Sequence, residues 1–369
     1  MRKLIVLAVV GGLLSAQQPK AKRGDRPERD ELEHIEETIP KFTAPVTNIL
    51  VPAKVFGADK NFLTGVRSDE FHLFDNGKEQ RIRVDESIIP ISMVIAIQAN
   101  SEVEQILPKV NRIGNMIAPL VLGDRGEAAV IAFDSRIRTM QDFTSDPDKI
   151  TEAVKRIHSG SLSSRLVDAV DAAEHMLRTR PVEHQKIILL ISETRDEGSQ
   201  NRGLETLNYV QAGNVTVYLV TMSRVLGKLT APPPQPAVDP LPPAMHPMPA
   251  GVPATPTTVM QMYGTDGASA DFVPLLTEIF HDLKSLLRAP AADMFTMGTG
   301  GSKFDFYRGK GLEEAIQQMG AELHLQYMLS YSPNNKEERG WHDIKVEVSG
   351  HGDTRVRTRP GYWMPSEAR

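Results

Sequence analysis

Ten histidines, no cysteine and no serine-hydrolase signature bound the chemistry open to this chain of 369 residues. Without a thiol there is no thiolate nucleophile, no disulfide and no cysteine-held metal. The histidines include no His-x-His and no His-Glu-x-x-His pair, the spacings that aim two imidazoles at one zinc ion. No Gly-x-Ser-x-Gly elbow and no phosphate-binding Gly-rich loop with a following Lys-Ser/Thr occurs. Gly298-Thr299-Gly300-Gly301 lacks that lysine and reads as a tight turn leading into a strand. What remains is one cluster of oxygen-bearing side chains, Gln98, Asn100, Ser101 and Glu102, directly after the apolar run 93–97. What that cluster can do depends on the fold that holds it.

The elements around it alternate. Residues 93–97 read as a strand, 103–122 as a helix, and 128–133 as a strand with 137–140 as its hairpin partner. Helices follow over 147–157 and 166–179, then a strand over 187–191, a helix over 204–212 and a strand over 215–220. A continuous apolar strand such as Ile187-Ile188-Leu189-Leu190-Ile191 needs cover on both faces, as in a parallel sheet. Strand–helix alternation with short connections predicts a doubly wound α/β fold with a mostly parallel sheet.

That rhythm breaks at residues 226–258, where 11 of the chain's 26 prolines lie between Pro232 and Pro256. Proline removes a backbone donor and fixes φ, so this stretch is read as an extended, disordered insertion. A helix is expected over 272–287, a last strand region over 294–301 and 304–307, and an amphipathic helix over 312–324. On that helix Leu312, Ala315, Ile316, Met319 and Leu323 share one face. Before the alternation, residues 43–88 read as a small β unit with Asn76-Gly77 at a hairpin turn. After it, residues 325–364 return to strands, expected to pack with the N-terminal unit as one β layer. The α/β unit between them spans 89–324.

The ends and the composition bear on partners. Arg2 and Lys3, an apolar run over 4–14 and Ser15-Ala16 form the pattern of a secretory signal peptide over 1–16. Residues 17–42 are charge-dense and read as disordered. Export to the periplasm or beyond is the expectation. A net charge of −5 and the absence of basic clusters interleaved with aromatics argue against a nucleic-acid partner. His324 reads as a packed or half-exposed histidine, and Trp341, Tyr362 and Trp363 as sheet-edge packing.

Several stretches together resemble the bacterial von Willebrand factor A (VWA)-related proteins known chiefly from acidobacteria. They are Ser68-Asp69-Glu70-Phe71 through Asp75-Asn76-Gly77-Lys78, Gly123-Asp124-Arg125 with Ile131-Ala132-Phe133-Asp134-Ser135, Thr299-Gly300-Gly301, Gln326-Tyr327-Met328-Leu329-Ser330-Tyr331-Ser332-Pro333, and Arg357-Thr358-Arg359-Pro360-Gly361-Tyr362. The resemblance implies a VWA, Rossmann-like α/β fold whose first strand ends in an Asp-x-Ser-x-Ser loop for a divalent cation. Here Gln98 stands at the Asp position, Asn100 and Glu102 at the two Ser positions, Ser164 at the second-loop Thr and Glu193 at the third-loop Asp. The number of carboxylates is kept and their placement is not. At about 4 Å and an effective dielectric near 20, a carboxylate is worth roughly 4 kcal/mol to a unit charge, and Mg²⁺ doubles that. Moving a carboxylate therefore matters as much as keeping it.

The reading is an exported, non-catalytic binding protein that docks a protein or cell-envelope partner on the rim where the strands end. Gln98, Asn100, Glu102, Ser164, Arg165 and Glu193 line that rim. No metal is assigned. Any Mg²⁺ affinity is expected to be weak and to rest on Glu102, Ser164 and Glu193. The alternatives are a Mg²⁺-dependent adhesin on the same fold and a secreted hydrolase with an unrecognised site.

Overall fold

β-Branched and aromatic runs build both ends of the chain, and a continuous apolar pattern builds its middle. A computed structural model describes residues 48–85, 89–112, 114–123, 125–221, 286, 288–305 and 311–364. The expected signal peptide over 1–16, the charged stretch 17–42, the proline-rich insertion 226–258 and nearly all of the helix expected over 272–287 lie outside these residues. The first strands are β1 (Ile49–Phe56), β2 (Phe71–Asp75), β3 (Lys78–Glu79) and β4 (Ile82–Asp85). Next come β5 (Ile91–Gln98), β6 (Glu127–Phe133), β7 (Ile137–Thr144), β8 (Gln185–Ser192), β9 (Val215–Thr221) and β10 (Lys303–Asp305). The last four are β11 (Tyr327–Tyr331), β12 (Gly340–Val348), β13 (Arg355–Arg357) and β14 (Gly361–Met364).

The central sheet has the order β10-β9-β8-β5-β6-β7. It is parallel except for β7, which folds back on β6 as an antiparallel hairpin. Side chains alternate between its faces. Met93, Ile95, Ile97, Ile187, Leu189 and Ile191 enter one core, and Val94, Ala96, Ile188 and Leu190 the other. Helices α1 (Pro147–Lys155), α2 (Leu166–Arg178), α3 (Gly203–Ala212), α4 (Ala291–Gly298) and α5 (Gly311–Leu325) cover these faces. The doubly wound α/β class expected from the alternation is the class observed. Leu312, Ala315, Ile316, Met319 and Leu323 of α5 are all buried, as their shared face requires.

Two elements depart from the expectation. The single helix expected over 103–122 is broken into a 3₁₀ turn (Ser101–Val103), two short α turns (Leu107–Val110 and Gly114–Ile117) and a π turn (Ala118–Leu122). Pro119 has no N–H for the helix ladder, and Gly123 N donates to Ala118 O at 3.1 Å, five residues back. The strand expected over 294–301 is instead mostly α4. Its run Ala-Ala-Asp-Met-Phe-Thr-Met-Gly satisfies either pattern by apolarity, and the chain turns helical directly after Pro290.

The terminal strands pair with one another, in two sheets rather than one layer. One has the order β13-β1-β11-β4 and the other β14-β12-β2-β3. Their inner faces share a core that includes Val51, Leu73, Leu329, Ile344 and Tyr362. At the β2–β3 turn Asn76 and Gly77 have φ of 50° and 75°, the left-handed pair that a type I′ hairpin needs.

Candidate functional site

In the central sheet the chain order reverses between β5 and β8, because β6 and β7 lie on one side of β5 and β8, β9 and β10 on the other. Ligands of open α/β sheets sit in the crevice outside the carboxyl ends at such a point. Gln98 ends β5 and Ser192 ends β8, so both stand at that crevice.

The crevice is filled by a chain of buried amides. Gln98 Oε1 accepts from Ser192 Oγ at 2.7 Å and from the Glu193 backbone N–H at 2.8 Å. Gln98 Nε2 donates to Asn100 Oδ1 at 3.0 Å, and Asn100 Nδ2 donates to the Leu162 carbonyl at 3.0 Å. Both ends fix the orientation. A backbone N–H only donates, so the Gln98 oxygen must face β8, and a carbonyl only accepts, so the Asn100 nitrogen must face Leu162. One relay thus ties three loops together with neutral groups.

This arrangement does not fit a Mg²⁺ ion of the kind the sequence resemblance implies. Mg²⁺ needs several hard oxygens in near-octahedral geometry. Gln98 Oε1 already takes two hydrogen bonds, and the Asn100 amide oxygen faces an N–H₂ donor. Among the described residues no group of three His, Asp or Glu side chains is placed to hold a metal. Of the five motif positions, Gln98, Asn100, Ser164 and Glu193 are buried at the crevice, and Glu102 is exposed on the Ser101–Val103 turn. Ser164 Oγ is buried without a hydrogen-bond partner.

Arg165 is turned back into the protein. Its guanidinium meets Asp168 Oδ2 at 2.6 Å and its Nη1 reaches the Ser135 carbonyl at 3.5 Å. Asp168 also accepts from the backbone N–H groups of Gln200 and Asn201 at 3.0 and 2.9 Å. Asp196 Oδ1 accepts from Val167 N, and Ser199 Oγ from Asp168 N. The loop after β8 therefore caps the first turn of α2 from outside, satisfying donors that a helix start leaves unmade. The sequence places Asp196 on the rim only as part of the stretch 193–198 and singles out neither Ser192 nor Ser199. The turn-rich run Asp196-Glu197-Gly198-Ser199 was the signal available.

Residues 158–165 are woven across the same rim. Gly160 N donates to Ala99 O at 2.7 Å and Arg165 N to Asp134 O at 3.0 Å. A Cβ at Gly160 would lie 1.9 Å from Asp134 Oδ2, so a side chain there would block this crossing. At the crest Leu162 is 78% exposed, beside the carbonyl that holds Asn100.

The opposite end of the sheet carries two further features. A cavity of about 470 Å³ lies there, lined by Arg67, Ile91, Gln185, His324, Leu325 and Tyr327 among others. Nearby, Ser92 Oγ lies 2.7 Å from Glu127 and 2.8 Å from His184 Nδ1, while Arg180 forks onto Glu127. Ser92 is wholly buried, so this serine–histidine contact offers no nucleophile to a substrate. His324 is exposed, and Trp341 and Trp363 pack edge to face at 5.8 Å.

Residues 97–196 match the family model of the von Willebrand factor type A domain. The matched stretch starts at the end of β5 and ends in the loop after β8, so it contains all six rim residues. No curated protein matches the chain. Among solved structures the chain is similar to a conserved hypothetical protein, BatB, from Bacteroides thetaiotaomicron. That likeness has 14% identity and a TM-score of 0.39, over 63% of this chain and 98% of that one. An aerotolerance-related membrane protein from Bacteroides fragilis is similar at 14% identity and a TM-score of 0.37, over 63% and 99%. The vWF domain of the pilus tip protein Mfa5 from Porphyromonas gingivalis is similar at 16% and 0.26, over 30% and 40%. Likeness this distant assigns no property of those proteins to this chain. No described helix is long and apolar enough to cross a membrane.

Proposed function

We propose that this is an exported VWA-related protein of the acidobacterial type, which binds a protein or cell-envelope partner on the rim around Gln98 without a metal ion. The observation that carries the reading is the closed amide relay Ser192–Gln98–Asn100–Leu162. Its members are neutral and satisfy one another, which ties the loops together without a cation, beside the buried Glu193 and Ser164. VWA domains are interaction modules, and the adjacent Leu162 is exposed and offers apolar surface that a partner can bury. Arg165 and Glu193 support that surface from beneath, since Arg165 is clamped on Asp168 and Glu193 is buried.

Photo-crosslinking of the full chain in its native cells tests this. A crosslinking residue at Leu162 should capture one envelope or secreted component, and the same residue at Val182 should not. Val182 is 84% exposed but precedes β8, at the opposite end of the sheet. Equal capture from both positions, or none from Leu162, sinks the rim reading.

A second reading, the Mg²⁺-dependent adhesin, rests on Ser164 Oγ, which is buried and unpartnered where a metal-site hydroxyl would stand. The hydrolase reading has no such support.

A further inference from the structure

The β unit holds a buried ionisable cluster that the rim does not use. Asp75 ends β2 and His342 lies on β12, both wholly buried. His342 Nδ1 is 2.6 Å from Asp75 Oδ1, and Nε2 is 2.9 Å from the Glu338 carbonyl. A carbonyl oxygen only accepts, so Nε2 carries a hydrogen. Asp75 also receives Tyr331 OH at 2.8 Å, Tyr362 OH at 2.9 Å and Asn335 Nδ2 at 3.0 Å. Three donors besides His342 favour an ionised Asp75, so Nδ1 carries a hydrogen as well and the ring is an imidazolium. Tyr362 OH already donates to Asp75, and it offers only a lone pair to Nδ1 at 3.2 Å.

We propose that His342 is a proton-operated latch on the loop 332–339, shut when the imidazolium bridges Asp75 and the Glu338 carbonyl and released when it loses a proton. A neutral ring leaves one nitrogen with a lone pair facing an oxygen. The Asp75 side is held between paired strands, with Ile344 of β12 opposite Asp75 of β2. The Glu338 side lies in a loop, so the loop gives way. Its motion passes outward because Glu338 also receives Asn76 Nδ2 at 2.9 Å and pairs with Lys78. Gln80 and Asn334 add two bonds between the same parts, at 2.8 and 2.9 Å. The 76–78 turn and the 332–339 loop are thus tied to one another, and the loop reaches the buried cluster through His342 and Asn335.

The other groups around the ring set the direction. Burial opposes charge on His342, but its bond to Asp75 and the Glu338 carbonyl outweigh it and raise the histidine above its usual value. Burial also works against the Asp75 carboxylate, and the bonds from His342, Asn335 and Tyr331 outweigh it and hold Asp75 low. Tyr331 of β11 and Tyr362 of β14 are pushed far up by burial and stay neutral donors. Arg359 lies over the Tyr362 ring at 5.9 Å, lowered by burial to about 10, and remains a cation. A raised histidine stabilises the closed form fully below the ordinary histidine range, near pH 6.5, and this is lost as pH rises through its own midpoint. Loop opening should rise about tenfold per pH unit between those two values and level off above.

Two measurements on the full chain test this. Imidazole ¹⁵N shifts should show His342 titrating above the ordinary histidine value, near pH 6.5. Amide-exchange protection factors, which remove base catalysis common to all amides, should fall over 334–339 across the His342 titration. Protection in β8 should stay flat, and His342→Gln should abolish the pH dependence in the loop. If that variant does not fold, the wild-type titrations decide alone. His342 titrating at or below the ordinary histidine value, near pH 6.5, or loop protection unchanged across its titration, overturns the latch.

Discussion

Replacing Gln98 with glutamate changes one atom of the relay and leaves its shape intact. The new side chain keeps an oxygen for Ser192 Oγ and Glu193 N–H, so the β8 side survives. On the other side a second oxygen replaces the N–H₂ that donated to Asn100 Oδ1 at 3.0 Å. Asn100 cannot rescue the contact by turning over, because its oxygen would then face the Leu162 carbonyl. Losing one hydrogen bond and leaving a buried acceptor unmade costs about 2–4 kcal/mol at neutral pH. Protonation restores a donor, so the introduced carboxyl should titrate well above a free glutamate. The sign follows from that. The variant's deficit should be small near pH 4, about the unfolded glutamate value, and grow to its full size as pH rises through the folded value. Urea unfolding of wild type and Gln98→Glu, compared with each other at pH 4.5 and 7.5, measures it. Equal midpoints at both pH values would refute the relay, and recovery on adding Mg²⁺ would favour a metal site instead.

Asp168→Asn keeps the size of the side chain but removes the charge that holds Arg165 and the Gln200 and Asn201 amides. It should cost about 1–3 kcal/mol and speed amide exchange at both positions. Glu322 pairs with fully buried Lys54 and with Arg357, joining α5 to β1 and β13. Glu322→Gln leaves Lys54 buried without its carboxylate and should cost about 3–5 kcal/mol in urea unfolding. N-terminal sequencing of the exported protein should begin at Gln17, and a chain still beginning at Met1 would remove the export claim.

The six-strand sheet is legible in the sequence because strands buried on both faces must be apolar throughout, as Ile187 to Ile191 are. Helices α2 and α5 are legible for a similar reason, their one-sided apolar stripes. The broken helix after β5 is not, because four short turns share the apolar content of one long helix and only Pro108 and Pro119 mark the breaks. Nor is the pairing of β4 with β11 rather than with β2, since register between strands so far apart in the chain leaves no local signal. At the rim, the resemblance finds Gln98 and Asn100 but says nothing of their joining each other. That depends on the Leu162 carbonyl and the Glu193 N–H, and backbone groups carry no signature in residue type. Leu162 does not stand out as an anchor because one apolar residue in a Ser-rich loop has no periodicity to read.

Calorimetric Mg²⁺ titration at matched ionic strength tests the metal-independent rim most directly. Three proteins are needed: the wild type, the combined variant Gln98→Asp, Asn100→Ser and Glu102→Ser, and a Glu193→Ala control. The account predicts weak or no heat of binding for the wild type and a gain in the combined variant, where an aspartate and two hydroxyls replace the relay. Tight binding by the wild type, abolished by Glu193→Ala, would contradict it.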